Sequence, residues 1–197
     1  LRGLDDLPST TRRLSDLAGT VIGTAVELHA RTDASLAVVG MGKLGGRELN
    51  YASDVDVLFV GDGRPEALER LARLVMDTVR PCFRIDVDLR PEGRAGQLVR
   101  SVDGYEGYWD KWAQPWEFQA LLKARPVAGA PRLGARFADT AQRWLWNRPV
   151  ATDDLREVRH LKERTEARVD ARGEAERDVK LGPGGIRDIE FAVQLLQ

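Results

Sequence analysis

The 197-residue chain balances 30 Lys and Arg against 31 Asp and Glu, with a formal net charge of −1. This excludes the basic excess expected of a nucleic-acid binder, and no apolar run approaches the ~20 residues of a membrane span. One cysteine, Cys82, and two histidines, His29 and His160, exclude an internal disulfide and a Cys- or His-rich metal site, and fit a reducing, cytoplasmic setting.

No signal peptide is visible at Leu1–Pro8. The chain starts without methionine and stops inside a helical pattern at Gln197, so we expect a piece of a longer protein. Ser9 and Thr10 are suited to cap a helix that runs to about Arg31, with Leu14, Leu17, Ala18, Val21, Ile22, Ala25 and Leu28 on its apolar stripe. Leu36–Val39 reads as a buried strand. Gly42–Tyr51 reads as a turn followed by a short helix. Val55–Val60 is a second strand, stopped by Gly61-Asp62-Gly63. Pro65–Val79 has helical spacing. Phe83–Leu89 alternates, with Phe83, Ile85, Val87 and Leu89 on one side and Arg84, Asp86 and Asp88 on the other, as in a half-buried strand. Leu98–Ser101 suits one more short strand. From Val102 onward helical periodicity takes over, with candidate helices at 103–113, 115–125, 131–146, 153–172 and 184–197.

The chemistry concentrates in residues 40–60, GMGKLGGRELNYASDVDVLFV. Asp54 and Asp56 flank one residue at the entry to an apolar strand, and residues two apart on a strand share a face. Two carboxylates side by side repel unless a proton or a cation intervenes. Mg²⁺ (or Mn²⁺) resolves the conflict, because such ions take carboxylate and phosphate oxygens. Asp86 and Asp88 share a face on the later strand, and one of them would complete a two-metal site for nucleotidyl transfer. Gly42, Gly45 and Gly46 precede a short helix, where backbone N–H groups approach phosphates. Lys43 and the Ser53 hydroxyl are further phosphate-binding candidates.

Each feature alone has an ordinary reading. Acids are common at strand ends, glycines after a strand often make only a turn, and Asp86 and Asp88 suit the solvated side of an edge strand. The combination of strand, glycine-lysine turn, Ser-Asp-x-Asp and a further acidic strand is the nucleotidyltransferase layout. A rival reading takes Gly40-Met41-Gly42-Lys43-Leu44-Gly45 as the GxGxxG of a Rossmann-type dinucleotide-binding oxidoreductase, with Asp62 on the ribose. That turn should open a full crossover helix, and fewer than ten residues separate Gly45 from Asp54. Trp109, Trp112 and Trp116 recur at helical spacing and suit packing. His160 suits a surface, and Cys82 is assigned no chemistry.

Residues 40–60 resemble the signature of the glutamine synthetase adenylyltransferase/adenylyl-removing family. The resemblance extends through Arg84-Ile85-Asp86-Val87-Asp88-Leu89-Arg90-Pro91-Glu92-Gly93, then Trp116-Glu117, Ala120-Leu121 and Lys123-Ala124-Arg125. It continues in Lys180-Leu181-Gly182-Pro183-Gly184-Gly185-Ile186-Arg187-Asp188-Ile189-Glu190-Phe191. The resemblance implies that Asp54, Asp56 and Asp86 hold metal; many members carry arginine at the position of Asp88. It makes Asp88, Arg90, Lys123, Arg125 and Glu190 candidate substrate contacts. The stretch between Val60 and Phe83 is shorter than the family leads one to expect.

Family enzymes have two similar halves. One transfers AMP from ATP to a tyrosine of glutamine synthetase, and the other removes it by phosphate attack, giving ADP. Gly96-Gln97-Leu98-Val99 and residues 184–191 look more like the adenylyl-removing half. The PII signalling protein regulates the full-length enzyme. The expected fold is α/β (α+β): a nucleotidyltransferase-like small mixed sheet flanked by helices in residues 1–101, then an all-helical subdomain in 102–197, incomplete at its C-terminus. The alternatives are the Rossmann oxidoreductase, a nucleotidyltransferase acting on small molecules, and a catalytically silent domain that binds nucleotide or partner.

Overall fold

A computed structural model describes residues 6–30, 33–147, 156, 159–160, 162–164, 167, 169–171, 178–182 and 184–196. In chain order the elements are α1 (Leu7–His29), β1 (Ala34–Gly40), α2 (Gly42–Gly45), β2 (Val55–Gly63), α3 (Pro65–Val79), β3 (Ile85–Asp86), a 3-10 turn (Gly93–Ala95), β4 (Val99–Arg100), α4 (Val102–Trp112), α5 (Pro115–Leu121), β5 (Arg125–Gly129), α6 (Pro131–Asn147) and α7 (Ile186–Leu196). The expected helix at 153–172 lies largely outside the described residues, as do Arg31 and Pro183.

The fold is mixed α/β, as the sequence implies. The chain divides into two compact units, Leu1–Ala113 with Lys123–Asn147, and Gln114–Leu122 with Arg148–Gln197. The expected boundary at 101/102 falls inside the first of these.

β2 is the spine of the sheet. On one side it pairs antiparallel with β1, from Ala34↔Gly63 to Gly40↔Val57. On the other it pairs parallel with β3 at Val55↔Ile85 and Asp56↔Asp86, and parallel with β4 at Phe59↔Val99. α3 makes the return that a parallel β2–β3 pair requires. β5 joins the free edge of β1, antiparallel.

The alternation of β2 sorts its two faces. Val55, Val57 and Phe59 pack with Ala18, Ile22 and Ala25 of α1 and Leu68, Leu71, Ala72 and Val75 of α3. Each of the larger side chains contributes about 1.5–3 kcal/mol by leaving water. Leu58 and Val60, also buried, face the other way, towards the side covered by α4 and α6. There Tyr105, Trp109 and Phe137 form an aromatic cluster with ring centroids 5.1–5.6 Å apart, and the Tyr105 hydroxyl donates to the Phe59 carbonyl at 3.2 Å.

Several expectations change in detail. The cap of α1 is Asp6, whose Oδ1 accepts from the Ser9 N–H at 2.8 Å, rather than Ser9 or Thr10. Leu17 and Leu28, counted on the buried stripe, are exposed. β2 does not stop at Gly61, because β1 pairs with it as far as Gly63. The strand expected over Phe83–Leu89 pairs only at Ile85–Asp86. The chain turns away there because Asp86 Oδ1 accepts the Asp88 N–H at 2.7 Å, the Asx type of turn. The Arg90 guanidinium then donates to the carbonyls of Val87, Arg94 and Gly96 at 2.9, 3.1 and 3.2 Å.

The remainder expected to be all-helical contributes a strand. The helix predicted over 115–125 ends at Leu121, and Arg125–Gly129 forms β5. Helical spacing over so short a run does not reveal that an open strand edge is waiting. In the second unit, α5 begins with Pro115 in its first turn and a Gln114–Glu117 capping box. α7 is capped by Asp188, whose Oδ2 accepts the Gly184 N–H at 2.8 Å and whose Oδ1 lies 3.3 Å from Lys162 Nζ. This is the capped, salt-bridged helix start that its composition also suggests.

Ser15 ties the core helix to the segment after α2. Its buried hydroxyl donates to the Thr11 carbonyl at 2.8 Å and accepts from the Leu49 N–H at 3.2 Å. Ser15→Ala leaves that N–H buried and unpaired, with an expected loss of about 1–3 kcal/mol of stability. The measurement is a lower urea midpoint at unchanged slope.

Candidate active site

The glycine-rich turn is built against the first residues of β2. The Met41 N–H donates to the Asp56 carbonyl at 2.8 Å, extending the β1–β2 ladder by one bond. Gly42 then takes φ +46°, and a Cβ there would lie 2.9 Å from Asp56 Oδ2. The Asp56 carboxylate therefore rests on the bare backbone of the turn. Gly45 is needed for a different reason: a Cβ on it would lie 1.9 Å from the Lys123 carbonyl and 2.5 Å from that of Gly40. Gly45 answers to close backbone packing, and Gly42 to its left-handed φ and the carboxylate against it, the ordinary reading of such residues.

The turn is clamped from β5. Arg125 donates from Nε to the Gly45 carbonyl at 2.9 Å and from Nη2 to the Leu44 carbonyl at 3.0 Å. Its pKa is lowered, chiefly by burial. Lys123 Nζ reaches Glu48 Oε2 at 2.6 Å. On the other side of α2, Lys43 Nζ lies 3.4 Å from Ser53 Oγ, which donates to Asn50 Oδ1 at 2.7 Å.

The parallel register sets Asp86 opposite Asp56. In-register neighbours share a sheet face, as do residues two apart along one strand. Asp54, Asp56 and Asp86 thus belong to the face opposite Val55, Val57 and Phe59. These are hard oxygen donors, the type that Mg²⁺ and Mn²⁺ take, so the donor chemistry and the backbone register fit such an ion. The side chains are otherwise engaged. Asp54 Oδ1 is paired with Arg84 Nε, and Asp86 Oδ1 holds the Asp88 N–H. Among the described residues no group of three or more His, Cys, Asp or Glu is gathered ready to hold a metal ion.

Of the expected site residues, Gly42, Lys43, Gly45, Gly46, Ser53, Asp54, Asp56, Asp86, Lys123 and Arg125 meet around α2 and the start of β2 and β3. Lys123 and Arg125 point their charges at Glu48 and at backbone carbonyls. Asp88 turns to Arg94, whose Nε donates to Oδ2 at 2.8 Å. Arg90 is buried and holds its own loop. Glu190 belongs to the second unit.

Sequence reasoning did not single out Arg84, which pairs with Asp54. Its pKa is raised, first by the hydrogen bond to Asp54 and then by the charges of Asp54 and Asp86. The signal was the strand alternation, which already set Arg84 on the face of Asp86. The Rossmann reading fails on the same geometry: α2 spans only Gly42–Gly45, and β1 and β2 are antiparallel. A dinucleotide crossover joins parallel strands.

The family model for glutamate-ammonia ligase adenylyltransferase matches residues 1–140. The chain belongs to that family. A second model, GlnD PII-uridylyltransferase, matches residues 155–197. Among curated relatives, the bifunctional glutamine synthetase adenylyltransferase/adenylyl-removing enzyme of Mycolicibacterium smegmatis is 45% identical over 96% of this chain and 20% of its own length. Enzymes of the same description from Streptomyces avermitilis and Mycobacterium avium are 44% and 46% identical, over 99% and 93% of this chain and 21% and 19% of theirs. The chain thus spans about a fifth of the length of these relatives. No described helix is long and apolar enough to cross a membrane.

The close approach at Gly45 makes a stability prediction. Gly45→Ala is expected to cost about 1–3 kcal/mol, because backbone on both sides of the turn must move. Gly107, inside α4, is the control: a Cβ added there would meet no atom within 4 Å. Gly107→Ala is expected to stabilise by about 0.5–1 kcal/mol. Thermal melts of the two variants should shift in opposite directions.

Proposed function

We propose that this chain is one catalytic half of a glutamine synthetase-modifying nucleotidyltransferase, the half that removes AMP from an adenylylated tyrosine. The observation that carries the reading is the register of Asp56 with Asp86, beside a glycine-lysine turn that rests on Asp56.

On this reading Asp54, Asp56 and Asp86 hold Mg²⁺ or Mn²⁺, and Asp88 stays with Arg94. The bound ion would supply Lewis-acid stabilisation of charge on the phosphorus oxygens. Lys43 and Ser53 orient phosphate oxygens, and the Gly42–Gly46 turn lets the backbone come close to them. Arg125 keeps the turn in place from behind. An oxygen of inorganic phosphate attacks the phosphorus of the tyrosine-bound AMP. The bond from phosphorus to the tyrosine oxygen breaks, ADP forms, and the tyrosine hydroxyl is restored by a proton.

The same residues support the opposite chemistry, in which the tyrosine oxygen attacks the α-phosphorus of ATP and pyrophosphate leaves. The resemblance of 96–99 and 184–191 favours removal. The partners are then glutamine synthetase, phosphate and adenine nucleotide in the cytoplasm, and the PII protein acts through the rest of the full-length enzyme.

Two reactions test this, each with Mg²⁺: adenylylated glutamine synthetase with phosphate, and unmodified glutamine synthetase with ATP. ADP formation in the first supports the proposal, and AMP transfer in the second alone reverses the direction. Turnover in neither, with no metal-dependent nucleotide binding, leaves a silent binding domain. Asp54→Asn, Asp56→Asn and Asp86→Asn should each lower turnover at least about a hundredfold, the scale of losing several kcal/mol of charge stabilisation. Asp88→Asn should retain most activity. The reverse ranking of Asp86 and Asp88 would overturn the ligand assignment.

A further inference from the structure

A cavity opens in the first unit, on the α3 side of the sheet. Its volume is about 650 Å³, within the range of small-molecule sites. α3 supplies Leu68, Glu69, Arg73 and Met76 to its wall, and the segment between β3 and β4 supplies Arg90 and Arg94. α3 covers the face of β2 that carries Val55, Val57 and Phe59. Asp54 and Asp56 belong to the opposite face, so the sheet separates the two sites.

The charge of the lining is unbalanced. Four arginines, Arg73, Arg90, Arg94 and Arg100, stand against two carboxylates, Asp62 and Glu69. Arg90 is committed to three backbone carbonyls. The others keep donors in reserve. Arg73 directs Nε and Nη2 at a single oxygen, Glu69 Oε1. Arg94 uses Nε on Asp88. Arg100 donates from Nη2 to Glu92 Oε2 at 3.2 Å, but its Nε is buried without a hydrogen-bond partner among the described residues, a state that ordinarily costs about 1–3 kcal/mol. Guanidinium donors around a pocket with apolar side walls are suited to an oxyanion.

We propose that this cavity binds a small molecule bearing a phosphate or carboxylate group, and that its occupancy is communicated to Asp86. The path is two hydrogen bonds long. Arg94 Nε holds Asp88 Oδ2 at 2.8 Å, and the Asp88 N–H holds Asp86 Oδ1 at 2.7 Å. An anion competes with Asp88 for Arg94, loosening the turn that fixes the orientation of Asp86. The cavity is thus an effector site. Only this last link rests on the role proposed for Asp86.

Titration calorimetry in EDTA, with pyrophosphate and with succinate as probes, tests the site without metal or glutamine synthetase. At least one probe should bind saturably, and which one does identifies the oxyanion class. The double variant Arg73→Ala/Arg94→Ala should weaken it at least about tenfold, the worth of one charge-assisted hydrogen bond. Glu69→Gln removes a competing carboxylate and should tighten binding, a gain that misfolding cannot imitate. Asp56→Asn should leave binding unchanged. Absence of saturation below ~10 mM for both probes, or a loss in Asp56→Asn equal to that in the double variant, overturns the site. Amide hydrogen exchange tests the link: the Asp88 N–H should exchange faster with the probe bound, and unchanged exchange overturns the communication.

Discussion

β2 alternates between two buried faces, and its first turn of alternation carries charge. Val55, Val57 and Phe59 must meet α1 and α3, so Asp54 and Asp56 are held on the other face with no freedom to exchange. A one-residue slip would bury both carboxylates in the core and move the valines to the half-buried places the carboxylates now hold. Burying an unpaired charge is far more costly than any local strain, so the hydrophobic pattern that builds the core also aims the chemistry. Antiparallel pairing with β1 and parallel pairing with β3 then bring the glycine turn and Asp86 to the same end of the strand.

The turn itself is a packing solution first. Gly42 admits the Asp56 carboxylate, Gly45 admits the Lys123 carbonyl, and Arg125 caps the open carbonyls of α2. A four-residue helix has little stability of its own. Its position depends on β5, which arrives from 80 residues later in the chain. Lys123 and Arg125, which look like substrate contacts in the sequence, are engaged with Glu48 and with the carbonyls of α2.

The segment after β3 shows how charge is partitioned around such a site. Asp86 and Asp88 are two residues apart and chemically identical, yet one faces Asp56 and the other faces Arg94. The Asx turn at Asp86 and the Arg90 clip curl the chain before the alternation can carry Asp88 to the same place. Arg84, by contrast, remains in the extended part and pairs with Asp54, where a cation is wanted for the same electrostatic reason that a metal would be.

Much of this was written in the local sequence. The Asp54-x-Asp56 spacing, the apolar alternation of Val55–Val60 and the glycines after β1 act over a few residues, so strand periodicity alone located the carboxylates and the turn. It also put Arg84 on their side, a signal left unused. Tertiary structure alone decided the rest. That Asp86 rather than Asp88 stands beside Asp56 follows from the pairing of two strands separated by α3 and from a side-chain hydrogen bond. That 125–129 is a strand and not the end of a helix follows from the unpaired edge of β1. Period and propensity describe a segment against water, whereas register and edge pairing depend on which other segment takes up its backbone hydrogen bonds.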